Sequence, residues 1–457
     1  MQSSPLGNRT YRHLFTAQVI ALFGTGLTTI ALALLANDLA GERAGEVLGI
    51  ALAIKMVAYV LIAPVVGAYA SKVPRRGLLV ALDLVRASVV ALLPFVDAVW
   101  QIYVLIFLLN ACSAGFTPVF QATIPDIIED EQQYTRALSL SRLAYDLENL
   151  LSPTAAALLL AFMSFESLFV LNAVTFLLSA ALVLSVVLPR PAAAELARSV
   201  WSNVTYGAKV YLRTPRLRGL LALSMAVSAA GAMQIVNTVV YVRTKLELGE
   251  SDVAIAFAAA GGGSMVVALL LPRLLEKLPQ RPAMLTGGLL MTASLFGGTL
   301  EPGFAGLLGL WFLLGAGASL VLTPAGRVLK QSCREEDRSA LFSAQFSLSH
   351  GCWLVAYPLA GWLGANVGLG TAFLILGAIA LASTASAARA WPREDPLVIT
   401  HEHAAQEHEH LHYHDDHHQH EHEGWEGPEP HAHPHVHPGG RHSHVFVVDP
   451  HHPYWPV

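Results

Sequence analysis

Apolar runs of about twenty residues recur along almost the whole chain, separated by short polar segments. A helix of that length crosses a lipid hydrocarbon layer of roughly 30 Å, so the runs predict an all-α membrane protein. Twelve spans are expected, in two sets of six. The first set covers residues 14–36, 46–70, 78–98, 99–122, 137–162 and 166–188, and the second covers 217–240, 252–271, 283–300, 304–325, 339–365 and 369–389.

The composition agrees with this division of the chain. Hydrophobic residues make up 54% of the sequence and charged residues only 13%, compared with roughly 25% charged residues in soluble proteins. We expect an N-terminal six-helix bundle at 1–188, a cytoplasmic linker containing an amphipathic helix at 189–216, a second six-helix bundle at 217–390 and a disordered tail at 391–457.

The loops between the spans differ in charge between the two sides. Alternating the loops puts most Lys and Arg residues on one side and leaves only Arg43, Arg243 and Lys245 on the other. Because positive loops mark the cytoplasmic face, both termini are predicted to be cytoplasmic. The expected location is a bacterial inner membrane, crossed many times.

The two halves share landmarks at a constant spacing. Thr117-Pro118 recurs as Thr323-Pro324 and Pro153 as Pro358, at an offset of 205 or 206 residues. Two related sets of six helices are typical of transporters that move one half against the other around a site near the midplane.

The loop after the second span carries a recognisable motif. Its sequence from Gly67 to Arg76 resembles the major facilitator signature G-x-x-x-D-R/K-x-G-R-R, with Ser71 in place of the Asp and Pro74 in place of the second Gly. The matching residues are Gly67, Lys72, Arg75 and Arg76. The resemblance implies the two-bundle fold and a gating role for this loop, although the Asp of the usual gating ion pair is missing.

Histidine is concentrated at the C-terminal end, where 18 of the 20 histidines follow residue 400. Neutral imidazole binds nickel, cobalt, zinc and copper, so the tail is predicted to hold such ions. Gly and Pro interrupt the segment, which favours a flexible chain. The candidate ligands are His401, His403, His408, His410, His412, His414, His417, His418, His420, His422, His431, His433, His435, His437, His442 and His444.

A membrane body that ends in such a tail is similar to bacterial nickel-resistance permeases. The resemblance implies export of a metal. The alternative interpretation is a solubilising tail, or a metal buffer unrelated to transport.

Ionisable residues inside the spans are costly in lipid, so each needs a partner or a function. Asp146 and Glu148 lie midway along the fifth span and His350 at a similar depth on the eleventh, and Lys55 could be their counter-ion. These residues are the predicted site of transport and proton coupling. The alternative is that Asp146 only pairs with Arg142 and that His350 is an interior histidine.

A second charged pair, Asp83 and Arg86, lies on the third span three positions apart. It is included among the coupling candidates, although a structural ion pair is the simpler interpretation.

These features predict secondary active export of a divalent transition metal, with nickel first and cobalt or zinc as alternatives, in exchange for protons. The competing hypotheses are an exporter of siderophores or other organic solutes with a metal-sensing tail, and a membrane-tethered metal store. No Walker, Ser-His-Asp or HExxH pattern supports an enzyme, and no cofactor is required. The expected partners are the metal ion, protons and lipid, without nucleic acid, and the protein is expected to be a monomer.

Overall fold

The computed structural model describes residues 4–40, 44–70, 72–189, 200–276, 278–396, 398–403, 406–412, 431–437, 440–448 and 455. Twelve helices within these ranges have 18 residues or more. The first six are α1 (Arg9–Ala40), α2 (Ala44–Ala70), α3 (Arg75–Leu92), α4 (Val99–Ile127), α5 (Glu131–Leu160) and α6 (Phe165–Leu184). The others are α7 (Pro215–Val240), α8 (Glu250–Leu275), α9 (Gln280–Gly298), α10 (Phe304–Leu322), α11 (Arg338–Asn366) and α12 (Leu369–Ala390).

Nine of these helices are long and apolar enough to cross a membrane, counted over the described residues. The remaining three are α5, α9 and α11, so the predicted count of twelve apolar spans is not confirmed. α5 carries Arg142, Asp146 and Glu148, and α11 carries His350. Polar side chains lower the apolarity of these two helices. They are accommodated because both helices lie between the two halves of the chain, where they contact other helices.

Helix packing follows the same scheme in both halves. In the first half α1 packs on α6, α2 on α4, and α3 on both α4 and α6. In the second half α7 packs on α12, α8 on α10, and α9 on both α10 and α12. The repeat seen in the sequence landmarks is therefore also a repeat of packing. The two bundles meet where α2 contacts α11 and where α5 contacts α8.

A linker helix, Val200–Arg213, precedes the second bundle. The Tyr206 hydroxyl donates to the Asp337 carboxylate at 2.9 Å, and the Tyr211 hydroxyl donates to the Gln345 side-chain oxygen. These bonds fix the linker helix against the start of α11. A further short helix, Ala325–Lys330, follows α10.

The prediction of a disordered tail is not confirmed, and described segments of the tail form four strands. They are β1 (Val398–His403), β2 (Gln406–His412), β3 (His431–His437) and β4 (Gly440–Val445). β1 pairs with β4 and β2 with β3, both antiparallel. The physical reason lies in the sequence itself, since histidine at every second position has the two-residue period of a strand.

Candidate functional site

The Glu148 side chain lies where α5 approaches α1 and α2. Its Oε1 atom would come within 3.0 Å of a Cβ placed on Gly26 of α1, and the Ser152 side chain lies even closer to that position. Only a glycine at position 26 therefore allows Ser152 of α5 to lie so close to α1. Lys55 of α2 is the basic residue whose charge acts on Glu148. The structure thus brings together two of the predicted site residues from different helices of the first bundle.

His350 of α11 reaches the same region from the second bundle. Its Nδ1 atom lies 2.7 Å from the Phe346 carbonyl oxygen, which can only accept, so Nδ1 carries the proton. The imidazole ring lies 4.8 Å from the Tyr59 ring, and the Lys55 amine lies 5.6 Å from the centre of that same ring. Nε2 is therefore the ring nitrogen left to take a proton or a metal ion, an arrangement common among metal-bound histidines.

We call Glu148, Lys55, Tyr59 and His350 the central site. Its residues come from α5, α2 and α11, so both bundles contribute. The Lys55 charge acts on both Glu148 and His350. A carboxylate and an imidazole that share one neighbouring amine can bind a cation and release it when protons bind to them, because protonation removes the charge of the carboxylate and the lone pair of the imidazole.

Asp146 lies on another flank of α5 and faces the second bundle. Its carboxylate forms an ion pair with Arg142 at 2.8 Å and accepts from the Ser264 hydroxyl of α8 at 2.6 Å. The Arg142 Nε–H also donates to Ser264 at 2.9 Å. This is the pairing that the sequence offered as the alternative to a transport role. The structure separates Asp146 from Glu148, and the three residues tie α5 to α8.

Asp83 and Arg86 form an ion pair inside the first bundle. The Asp83 carboxylate also accepts from Ser179 of α6 at 2.7 Å, and the Arg86 guanidinium lies 4.1 Å and 4.5 Å from the ring centres of Phe116 and Phe176. Both charged side chains are buried, with 0% and 7% of their surface exposed. The pair holds α3, α4 and α6 together and lies apart from the central site.

The face of the molecule on which α1 and α3 begin carries the predicted gating loop, and we call it the basic face. Gly67 lies at the contact of α2 with α11, where an added Cβ would collide with Ser343. Arg75 is buried at the start of α3, whereas Lys72 and Arg76 are exposed. Ser71 lies outside the described residues.

Asp126, at the end of α4, contacts the predicted gating loop, and the motif alone did not reveal it. Its carboxylate pairs with Arg75 of the first bundle and with Arg338 of the second, and we call these three residues the latch. The family signature expects its Asp in the loop, at the place of Ser71. Here a carboxylate from α4 contacts the loop arginine and joins the two bundles.

Other contacts close the same face. Arg327 pairs with Glu131 at 2.6 Å, the Lys330 amine donates to the Glu129 carbonyl oxygen at 3.1 Å, and the Ser347 hydroxyl donates to the Val60 carbonyl oxygen at 2.6 Å. Each contact joins one bundle to the other on the basic-face half of the helices. The bundles are therefore packed together at the basic face.

Among the residues whose placement the structure gives, no three His, Cys, Asp or Glu side chains are grouped closely enough to hold a metal ion. The predicted trio of Glu148, Asp146 and His350 is thus not assembled in this conformation. The tail positions His414, His417, His418, His420 and His422 lie outside the described residues.

Strand register nevertheless groups the other tail histidines. Directly opposite in β2 and β3 are His408 and His435, His410 and His433, and His412 and His431. Alternate residues of a strand lie on one face, so these positions and His437 share a face of the ladder. In β1 and β4 the pairing of His401 with His442 likewise puts His401, His403, His442 and His444 on a common face.

Two six-helix bundles with a charged site between them define a membrane transporter, not an enzyme. The family model described as Major Facilitator Superfamily matches residues 14–300 and 221–412. The chain belongs to that superfamily.

A relative from Bacillus subtilis (strain 168), the uncharacterized MFS-type transporter YfiS, is 23% identical over 334 residues, which cover 70% of this chain and 78% of the relative. Solved structures with the same fold include the human organic anion transporter MFSD10 (TETRAN), with a TM-score of 0.72 and 12% identity, covering 83% of this chain and 99% of that one. A bacterial homologue of the iron transporter ferroportin, in an outward-facing state with soaked iron, has a TM-score of 0.67 and 12% identity, covering 83% and 98%.

Proposed function

We propose that this transporter exports a divalent transition metal, nickel first and cobalt or zinc next, from the cytoplasm in exchange for protons. The observation that carries the proposal is the central site, in which Lys55 of the first bundle acts electrostatically on Glu148 of the same bundle and on His350 of the other. A site built from both bundles is the kind that alternating access opens to one side of a membrane at a time.

Each residue of the central site has a distinct role in this mechanism. The entering cation replaces Lys55 as the partner of Glu148 and takes the Nε2 lone pair of His350, whose ring is held by the Nδ1–H bond to Phe346. Protons entering from the opposite side then neutralise Glu148 and protonate His350. The cation loses its ligands and leaves. When the site next opens to the cytoplasm, Glu148 and His350 release their protons there, and Lys55 again becomes the partner of the Glu148 carboxylate.

The latch controls access on the side where the ion enters. With the basic face on the cytoplasm, the Asp126 ion pairs close the path from the cytoplasm in this conformation. The bacterial homologue of the iron transporter ferroportin supports a metal as the substrate, because that protein has the same fold and its structure was obtained with soaked iron.

The tail acts as a cytoplasmic collector in this proposal. Histidine positions that share one face of each ladder provide neighbouring nitrogen ligands, and neutral imidazole suits nickel, cobalt and zinc. Bound ions are thereby concentrated on the side where the export cycle begins.

Metal accumulation in cells tests the export proposal. Cells lacking their own nickel efflux are loaded with nickel, cobalt or zinc, and the retained metal is measured with and without the protein. Export predicts lower retention with the full chain and a partial effect for a chain ending at Pro396. A tethered metal store predicts higher retention with the full chain, and unchanged retention for every metal would contradict export.

An organic solute is the second candidate, and it has specific support. The described side chains do not preassemble three metal ligands, and the Lys55 ammonium would repel a divalent cation while attracting an organic anion. The structural similarity to a human organic anion transporter agrees with this candidate. Export of a labelled organic anion that needs Lys55, without any effect on metal retention, would favour it over metal export.

A further inference from the structure

The last described residues of the chain are packed into the second bundle. Phe446 and Val448 are only 1% and 3% exposed and belong to the hydrophobic core of that bundle. Trp455 packs against the same core, with its ring 5.1 Å from the Phe446 ring in an edge-to-face arrangement. We call Phe446, Val448 and Trp455 the tail anchor. Burial of the Phe446 ring and Val448, together with partial burial of the Trp455 ring, contributes hydrophobic free energy that holds this end in place.

The start of the tail is fixed at the same place. Trp391, at the end of α12, is 2% exposed, and its indole N–H donates to Asp395 at 2.8 Å. Arg216, at the start of α7, pairs with Asp395 at 3.4 Å, and its guanidinium also lies 4.8 Å from the Trp455 ring centre. One arginine therefore contacts both ends of the tail, and the histidine segment between them is a closed loop.

The strands continue directly from these fixed ends. Val398 pairs with Val445, immediately before the anchor residue Phe446, and the paired positions keep one register from β1–β4 into β2–β3. Histidines far apart in sequence, such as His401 and His442, are thereby placed opposite each other. A metal ion held across the strands needs both arms of the loop at once.

We propose that metal binding across the tail strands and docking of the tail anchor on the second bundle are thermodynamically coupled. The inference rests on the proposed function, because it assigns a regulation to the same metal-binding tail. When the tail anchor is released from the bundle, the two arms of the loop are free to separate. An ion that binds across the strands must then restrict a longer mobile chain, which costs conformational entropy. Thermodynamic linkage then requires that bound metal strengthens docking of the tail anchor by the same factor by which docking strengthens metal binding. The tail therefore docks on the end of the second bundle where α7 begins and α12 ends, and it docks more tightly when metal is bound.

The test compares nickel binding to full-length protein and to an anchor variant, Phe446→Ala with Trp455→Ala. The matched control is Phe162→Ala with Trp100→Ala, which removes the same ring types at positions that are 88% and 64% exposed. Nickel affinity of the detergent-purified chains is measured by competition with a coloured chelator. We expect the anchor variant to bind nickel about tenfold more weakly, within the roughly 5- to 150-fold range of coupled sites, and the control to match the unaltered chain.

The reciprocal measurement is amide hydrogen exchange at residues 446–448 of the unaltered chain. Saturating nickel should slow amide exchange at these residues by the same factor as the change in nickel affinity of the anchor variant. Exchange at the helix ends on the face opposite the tail anchor should stay unchanged. Equal nickel affinity in the anchor variant and the control, or exchange that ignores nickel, overturns the coupling. Absence of nickel binding in every chain overturns both the coupling and the collecting role of the tail. If the protein transports no nickel although the coupling between nickel binding and docking is measured, only the proposed function is contradicted.

Discussion

Replacing Asp126 by Asn should open the basic face. The carboxylate pairs with Arg75 and Arg338, whose side chains are only 2% and 8% exposed, and Asp126 itself is 14% exposed. Removing one member of a buried ion pair costs about 3–5 kcal/mol because the remaining charge stays buried. Asn retains some hydrogen bonding, so we take the lower figure. About 3 kcal/mol shifts the balance between the two conformations by roughly 100-fold toward opening of the basic face.

The assay is a distance measurement between spin labels at Phe162 and Ser251, in a chain without its three native cysteines. Both positions are exposed, at the end of α5 and the start of α8. When the basic face opens, these opposite ends should approach each other. Asp126→Asn should therefore move the main distance peak to a shorter value.

The control uses the other carboxylate beside the same arginine. Glu335 lies 3.3 Å from Arg338, but its side chain is 78% exposed, and exposed ion pairs contribute at most about 1 kcal/mol. Glu335→Gln should leave the distance distribution nearly unchanged. If Asp126→Asn behaves like the unaltered chain, or if Glu335→Gln shifts the peak equally far, the latch does not hold the basic face closed.

Two further substitutions test the packing of the first bundle. Asp83→Asn leaves the buried Arg86 without its counter-charge and should lower the free energy of unfolding by about 3–5 kcal/mol, measured by thermal unfolding in detergent. The control, Asp97→Asn at an exposed position, should not lower it. Equal melting temperatures in the two variants would contradict a structural role for Asp83. Gly26→Val should abolish transport, because the valine side chain would collide with α5 near Glu148. The control, Gly49→Val, places its side chain in open space and should transport normally. Full flux in both variants would refute the close approach of α1 to α5.

The positions of the helices could largely be predicted from the apolar runs, because lipid requires long apolar helices. Their ends could not. The run at 137–162 corresponds to α5 (Glu131–Leu160), which begins with a polar turn whose cap is Asp130, accepting from the Gln133 amide at 2.8 Å. A polar turn outside the hydrocarbon layer leaves no trace in an apolar pattern, so capping chemistry sets the boundary.

The candidate site was predictable residue by residue but not as an arrangement. Sequence reasoning found Glu148, Lys55 and His350 because ionisable residues are rare within apolar spans. It offered Arg142 as the partner of Asp146, but only the packing of α5 against α8 shows that Ser264 also bonds to this carboxylate.

The latch and the tail were missed for a related reason. The latch depends on contacts between residues far apart in sequence, and the family motif expected its carboxylate elsewhere. In the tail, the spacing of histidines had the period of a strand, but interruption by Gly and Pro favoured a flexible chain in the prediction. β4 ends beside Phe446, which packs on the second bundle, and no local sequence pattern contains that long-range contact.

The most direct test of the account is nickel flux in lipid vesicles containing the purified protein, with and without an imposed proton gradient. The account predicts that the proton gradient drives nickel against its own gradient, and that Glu148→Gln abolishes this movement while the protein remains folded and inserted. Nickel flux that is indifferent to the proton gradient, or undiminished flux in Glu148→Gln, would contradict the central claim that Glu148 exchanges a metal ion for protons.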